Sequence, residues 1–280
     1  MRRCMAVGTN ALLKWVKNYR AWLVFVIIAV CVCEFTEPVF EIASRWGFAV
    51  TPWIFPFIDS QPFMKMIIYF GIILLFCNAP FLYQDQVYVM VRAGRKAYAI
   101  GQLWSMIIVT MAYFFWLMCI PIVTHMGKVG WSTEWGDVLF TAANTDALSQ
   151  SGGVGTIIIS MSIVENLSPI QAVGLSYLFH VLTGVMLGYA VYLGNVLLKG
   201  YKWSGVFIAG VLVIIDPIFS MFKYYWSPVS WGYLAKLDFV NNGARLSIKA
   251  VIVRLALVIG LLAVGCIIKM RRMELKTVEE

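Results

Sequence analysis

QDQVYVMVRAGRKAYAIG, residues 84–101, is the stretch on which the reading of this chain turns. It is a basic amphipathic interruption between two strongly apolar stretches. Read as one helix from Gln84, it places Asp85, Tyr88, Arg92, Arg95 and Lys96 on one face. Val87, Met90, Val91, Gly94 and Tyr98 recur on the other, at the spacing of an apolar helical stripe. Two readings follow. In one, the segment is a loop that obeys the positive-inside rule and lies on lipid headgroups. In the other, it is a coupling helix through which a soluble partner moves the membrane helices.

Working outward, the chain is membrane-like almost from end to end. Of 280 residues, 61% are hydrophobic and 13% charged, and mean hydropathy is +0.82. A soluble domain carries about a quarter charged residues, so half that share points to an integral membrane protein. A bilayer core about 30 Å thick needs roughly 20 residues of helix. Six segments approach this: 21–37, 63–82, 103–124, 169–198, 203–222 and 250–268. The fold class expected is therefore an all-α integral membrane protein with six transmembrane helices. Residues 1–280 read as a single transmembrane domain, with 1–20 as an interfacial or connecting segment and 83–102 as the loop described above. Residues 125–168 and 223–249 read as outer segments. The first span is the weakest, because Glu34, Glu37 and Pro38 intrude. The opening MRRCMAVGTNALLKW lacks the apolar core and cleavage site of a signal peptide, so the first span is expected to be retained.

Within residues 10–20, Leu12, Trp15, Val16 and Tyr19 form one face and Asn10, Lys14 and Lys17 the other. Such a helix suits the interface plane. With both termini on one side, that side carries fourteen of the 22 Lys/Arg but four of the 14 acids. The Lys/Arg bias favours cytoplasmic termini. It also makes the formal charge of +8 topological, and a nucleic-acid-binding face is not expected. Among the outer segments, 38–62 is rich in Pro, Trp and Phe and suits an aromatic belt. The apolar stretch 156–164 is too short to span and reads as an outer or re-entrant helix. Residues 223–249 read as two short amphipathic elements around a turn at Asn242–Gly243.

No phosphate-binding Gly-rich loop with a following Lys-Ser/Thr is present, and neither HExxH, GxSxG nor SxxK occurs. No Cys/His cluster has metal-ligand spacing, so neither a metal nor a catalytic residue is assigned. Asp216 is the most expensive residue, since a central intramembrane Asp costs about 2.5–3.5 kcal/mol on insertion scales. Either it faces the bundle or a wet cavity as a functional group, or Asp216–Pro217 marks a helix end near Lys223. Ser176, His180, Gly184 and Gly188 recur every four residues and suit close helix packing, with His180 an interior histidine. Asn78 and Arg254 read as structural hydrogen bonding or snorkelling.

Three stretches, VRAGRKAYAIGQLW (91–104), WSTEWGDVLFTAANT (131–145) and SPIQAVGLSYLFHVLTGVMLGYAVYLGN (168–195), together with the order of segments, resemble the ABC-2 type permeases, membrane subunits of bacterial type V ABC exporters. The resemblance implies a non-catalytic subunit in the bacterial cytoplasmic membrane. Its coupling helix, with Gln84, Asp85, Tyr88, Arg92, Arg95 and Lys96, would seat in a separate ATPase. Lys14, Trp15 and Lys17 would belong to the connecting helix beside it. Two permease chains, identical or paired with a paralogue, would work with two ATPase chains that bind ATP and Mg²⁺. A hydrophobic or amphipathic substrate, such as an antimicrobial peptide or a lipid-like drug, would pass along the second and fifth spans, near Asn78 and Asp216. Two other classes stay open: a membrane sensor or immunity protein gripping a peptide with Trp53, Trp131, Trp135, Trp226 and Trp231, and an intramembrane enzyme using Asp216 or His180.

Overall fold

The computed structural model of the chain describes residues 2–81, 84–145, 157–198, 203–221, 227–239 and 246–272. Its order is α1 (Arg2–Lys17), α2 (Tyr19–Trp46), α3 (Pro62–Phe76), α4 (Gln84–Ala93), α5 (Arg95–Thr124), α6 (Gly136–Asn144), α7 (Met161–Asn166), α8 (Pro169–Leu197), α9 (Ser204–Met221) and α10 (Ile248–Arg271). The expected all-α membrane character holds, with one small addition. Leu237–Asp238 (β1) pairs in parallel with Leu246–Ser247 (β2).

All six apolar segments are helical, but their lengths differ. Helices α2, α5, α8 and α10 are long and apolar enough to cross a membrane, whereas α3 and α9 are shorter. At 1.5 Å per residue, the 15 residues of α3 reach about 22 Å, less than the hydrocarbon thickness. Helix α3 begins where Pro62 follows extended Gln61 and stops at Cys77. The expected span of 63–82 is therefore too long.

The first span is longer than its sequence suggests. Asn18 breaks the chain after α1, and its side chain accepts from the Arg20 amide at 3.1 Å, capping α2. Helix α2 then runs past Glu34, Glu37 and Pro38 to Gly47, which ends it in the left-handed region at φ 76°. A proline removes one helical hydrogen bond but does not compel a stop when neighbouring turns are packed. Val32, Val39, Phe40 and Ala43 bury that stretch of α2.

The six apolar helices alternate in direction. One end gathers α1, the C-terminus of α3, the α4–α5 junction, the start of α9 and the C-termini of α8 and α10. Asn195 on α8 binds three of these together. Its Nδ2 donates to the carbonyls of Cys77 and Ala79 at 3.0 and 2.8 Å, and its Oδ1 accepts from the Gly205 amide at 2.9 Å. The opposite end gathers residues 47–61, 125–145, 157–168, 227–239 and 246–247. There Val50 bridges Val129, and Thr51 donates to the Trp135 carbonyl at 2.7 Å.

Helix α8 is central, packing on α3, α5, α9 and α10 and burying Phe179, Leu187, Val191 and Tyr192 completely. Peripheral helices turn apolar rows outward. Leu23, Val26, Ile27 and Val30 of α2 and Val253, Leu257, Leu261 and Val264 of α10 are all exposed. Rows of this kind need an apolar surrounding, which a bilayer supplies.

In the outer segments, residues 157–160 are irregular and the expected apolar helix is confined to α7. Between 223 and 249 the described residues hold two 3₁₀ turns, at Ser230–Gly232 and Leu234–Lys236, beside β1 and β2. The turn at Asn242–Gly243 lies outside the described residues.

Candidate functional site

At the basic end, residues 84–101 form two helices instead of one. Gly94 separates them at φ 88°, ψ 144°, a conformation open to glycine and strained for other residues. Helix α5 therefore starts at Arg95, well before the expected start of the third span at Leu103. The break rotates the two halves of the expected stripe apart. Met90 and Tyr98 are buried with Val7, Ala99 and Met270, while Val91, expected inside, is 70% exposed. Tyr88 is 74% exposed, and Arg92, Arg95 and Lys96 are also exposed. The side chains of Gln84 and Asp85 lie outside the described residues.

This elbow is braced from three sides. Tyr98 donates to the carbonyls of Pro80 and Phe81 at 3.2 and 3.3 Å. Arg95 Nη1 donates to the Arg271 carbonyl at 3.2 Å. Helix α1 packs along α5. Trp15 is half-buried, edge-on to Phe76 and Phe81 at 5.6 and 5.5 Å; Lys14 is half-buried and Lys17 exposed. Of the face expected to be apolar, Leu12 and Trp15 pack, but Val16 and Tyr19 are exposed, and the break at Asn18 separates Tyr19 from the other three. Arg3, Arg95, Lys96 and Arg271 share the walls of a cleft of about 930 Å³ at this end.

At the opposite end, the fold brings together charges that lie far apart in sequence. Helix α9 runs through Pro217 to Met221, so Asp216 does not mark a helix end. It is buried and paired with Lys65 of α3 at 2.6 Å; Lys223 lies outside the described residues. The Ser230 hydroxyl donates to Asp216 Oδ1, and Lys236 Nζ donates to Ser230 Oγ at 3.4 Å. Beside this pair, Asp59 from the loop before α3 is buried, with Oδ2 3.9 Å from His180 Nε2. His180 Nδ1 lies 3.0 Å from the Tyr69 hydroxyl. Phe114 stacks on the imidazole at 5.3 Å and Phe55 meets its edge.

Asp59 Oδ2 is buried and takes no hydrogen bond among the described residues. Burial pushes the Asp59 carboxyl up to about 7, against the pull of Lys65 and Lys236. Burial, aided by repulsion from Lys65, brings the Lys236 ammonium down to about 8, against Asp216 and Asp59. Burial and the Asp59 charge raise the Tyr233 phenol.

Of the residues singled out from the sequence, His180 and Asp216 converge on this cluster. Asn78 does not. It is exposed just beyond α3 at the basic end, beside a cleft of about 270 Å³ shared with Trp15, Asn18, Arg20 and Trp203. Ser176 is buried, and Gly184 and Gly188 let Phe114 and Phe76 approach α8. Asp59, Lys65 and Lys236 were not legible as partners. Each stands at the rim of an apolar segment, where a charge ordinarily reaches water. A Lys three residues into α3 and an Asp inside an aromatic loop are the signals that could have drawn attention.

The outer tryptophans are largely occupied in holding the loops. Trp53 donates to the Ser132 carbonyl at 2.8 Å and Trp135 to that of Leu167 at 3.0 Å. Trp231 lies under the Arg254 guanidinium, so Arg254 is not simply snorkelling outward. Trp131 is 79% exposed, and Trp226 lies outside the described residues. Among the described residues, no three His, Cys, Asp or Glu converge as a metal site. No known protein family, curated protein or solved structure matches the chain.

Proposed function

We propose that this chain is the permease subunit of an ATP-driven exporter of the ABC-2 type, driven by a separate ATPase seated on its basic end. The observation that carries the reading is the α4–Gly94–α5 elbow. A coupling element has to expose one face to its partner and hold the other rigidly to the helices it moves. Tyr88, Val91 and Arg92 are turned outward, while Met90 and Tyr98 are sealed into a small apolar core with Val7 of α1 and Met270 of α10. A displacement of α4 is thereby delivered to α5, to α10 and to the turn after α3. Exposed Tyr, Val and Arg together suit a protein partner, since aromatic residues and Arg are enriched in such interfaces. The bias of Lys and Arg toward this end supports its cytoplasmic side.

In this reading the membrane is the bacterial cytoplasmic membrane, and ATP with Mg²⁺ is bound by the ATPase. A second permease chain packs alongside, and a hydrophobic or amphipathic peptide, lipid or drug is the cargo. The test is purification of the tagged chain from its native cells in mild detergent, with mass spectrometry of what accompanies it. A near-stoichiometric P-loop ATPase is expected. Arg92→Glu with Lys96→Glu is expected to leave the melting temperature unchanged and to remove the ATPase. Arg95 is left intact because it braces α10. Undiminished recovery of the ATPase with this variant would sink the proposal.

A further inference from the structure

Among the described residues, the cluster at the end opposite the elbow sets two carboxyl groups against two ammonium groups. Asp59 and Asp216 face Lys65 and Lys236, with His180, Tyr69 and Tyr233 completing the ring of titratable groups. Asp216 is satisfied by Lys65 and Ser230. Asp59 is less well met: its Oδ2 is fully buried and takes no hydrogen bond among the described residues. It lines a cavity of about 50 Å³, enough to hold at least one water, with Ser60, Lys65, Asp216, Tyr233 and Lys236 around it. That cavity leads from buried Asp59 and Lys65 to half-buried Ser60 and Lys236 and exposed Pro62. Its lining thus reaches from buried Asp59 to an exposed rim.

We propose that Asp59 is a proton-binding site, charged and discharged by water from the face opposite the basic end. The step forms one O–H bond on a carboxylate oxygen. The proton comes from hydronium, water is released, and no electron moves. With Asp59 ionised, Asp59 and Asp216 offset Lys65 and Lys236 among the described residues; protonation of Asp59 leaves those four groups with one excess positive charge. Lys236, 3.4 Å from Ser230 Oγ, loses a counter-charge on protonation, so the 230–236 turns feel the change. His180 carries it inward. When Tyr69 donates to Nδ1, the ring proton sits on Nε2, facing Asp59. The site thus links proton concentration outside to the packing of residues 47–61 against α3, α8 and α9. Holding a carboxyl buried with an oxygen left unmet is unfavourable, which singles Asp59 out.

The experiment needs the purified full-length chain alone in lipid nanodiscs, so it is independent of any ATPase. Infrared difference spectra over a pH titration report protonated carboxyl groups. One carboxyl is expected to titrate near pH 7. Asp59→Asn is expected to abolish this step. Lys236→Met is expected to move its midpoint upward, because one of the cations favouring the carboxylate is gone. Absence of any carboxyl titrating above the ordinary carboxylate range overturns the proposal, as does survival of the step in Asp59→Asn. Should Asp59→Asn fail to fold, an unmoved midpoint in Lys236→Met overturns it.

Discussion

Asp59 and Asp216, two carboxylates lining one cavity, are held in opposite circumstances. Asp216 has a cation at 2.6 Å and a hydroxyl donor, whereas Asp59 has an unmet oxygen. The consequences for stability differ accordingly. Removing one partner of a buried pair leaves an uncompensated charge, at about 3–5 kcal/mol. Asp216→Asn is expected to lower the detergent melting temperature sharply, and Asp216→Asn with Lys65→Met to recover much of the loss. Equal melting of the single and double variants would show that the pair contributes nothing. For Asp59 the folded carboxyl is raised from 3.8 to about 7, so the folded state holds its proton longer than the unfolded chain. Its contribution favours folding most fully below pH 3.8 and is lost as pH rises to about 7. Asp59→Asn should flatten the fall in melting temperature across that window. The price of burying Asp216 was visible in the sequence from its depth in an apolar run. Its partner was not, because Lys65 lies 151 positions away and contact at that separation is decided by helix packing.

Among the helices, the junction of α8 and α9 shows how closely backbone approach is specified. A Cβ on Gly205 would lie 2.0 Å from the Val191 carbonyl oxygen, and a backbone atom has no rotamer by which to yield. Gly205→Ala is expected to force α9 away from α8, breaking the Asn195 bond to the Gly205 amide and lowering the melting temperature. Gly260→Ala, where nothing lies within 4 Å, is expected to be neutral or to stabilise α10 by up to about 1 kcal/mol. If the two variants melt alike, the contact at Gly205 is not a constraint. The α4–α5 elbow and the short α3 are lessons at the same scale. Periodicity extends smoothly through Gly94, so it cannot report a break that depends on a positive φ. It likewise ran α3 on to Leu82, where Asn195 instead takes up the carbonyls of Cys77 and Ala79.

Across the whole molecule the two ends are chemically unlike. One end is basic and carries the outward elbow; the other buries a balanced set of charges beneath loops pinned by Trp53 and Trp135. An orientation follows from the basic bias. A protease-cleavable tag at Gly127, where added atoms meet nothing, should be cut from outside intact spheroplasts, while one after Glu280 should be protected. The reverse pattern would invert the assignment and with it the proposed place of the ATPase. The chain's composition and hydropathy by themselves determined a helical membrane domain, its six apolar helices and its basic stretches, because burial in lipid and the bias of Lys and Arg are properties of residues and short windows. The residues also made Asp216 conspicuous. Only the tertiary structure decided that α3 stops short, that Gly94 turns Val91 outward, and that Asp59, Lys65, His180, Asp216 and Lys236 meet. Those outcomes depend on which helix faces which, and pairing between distant segments leaves no period in the sequence to read.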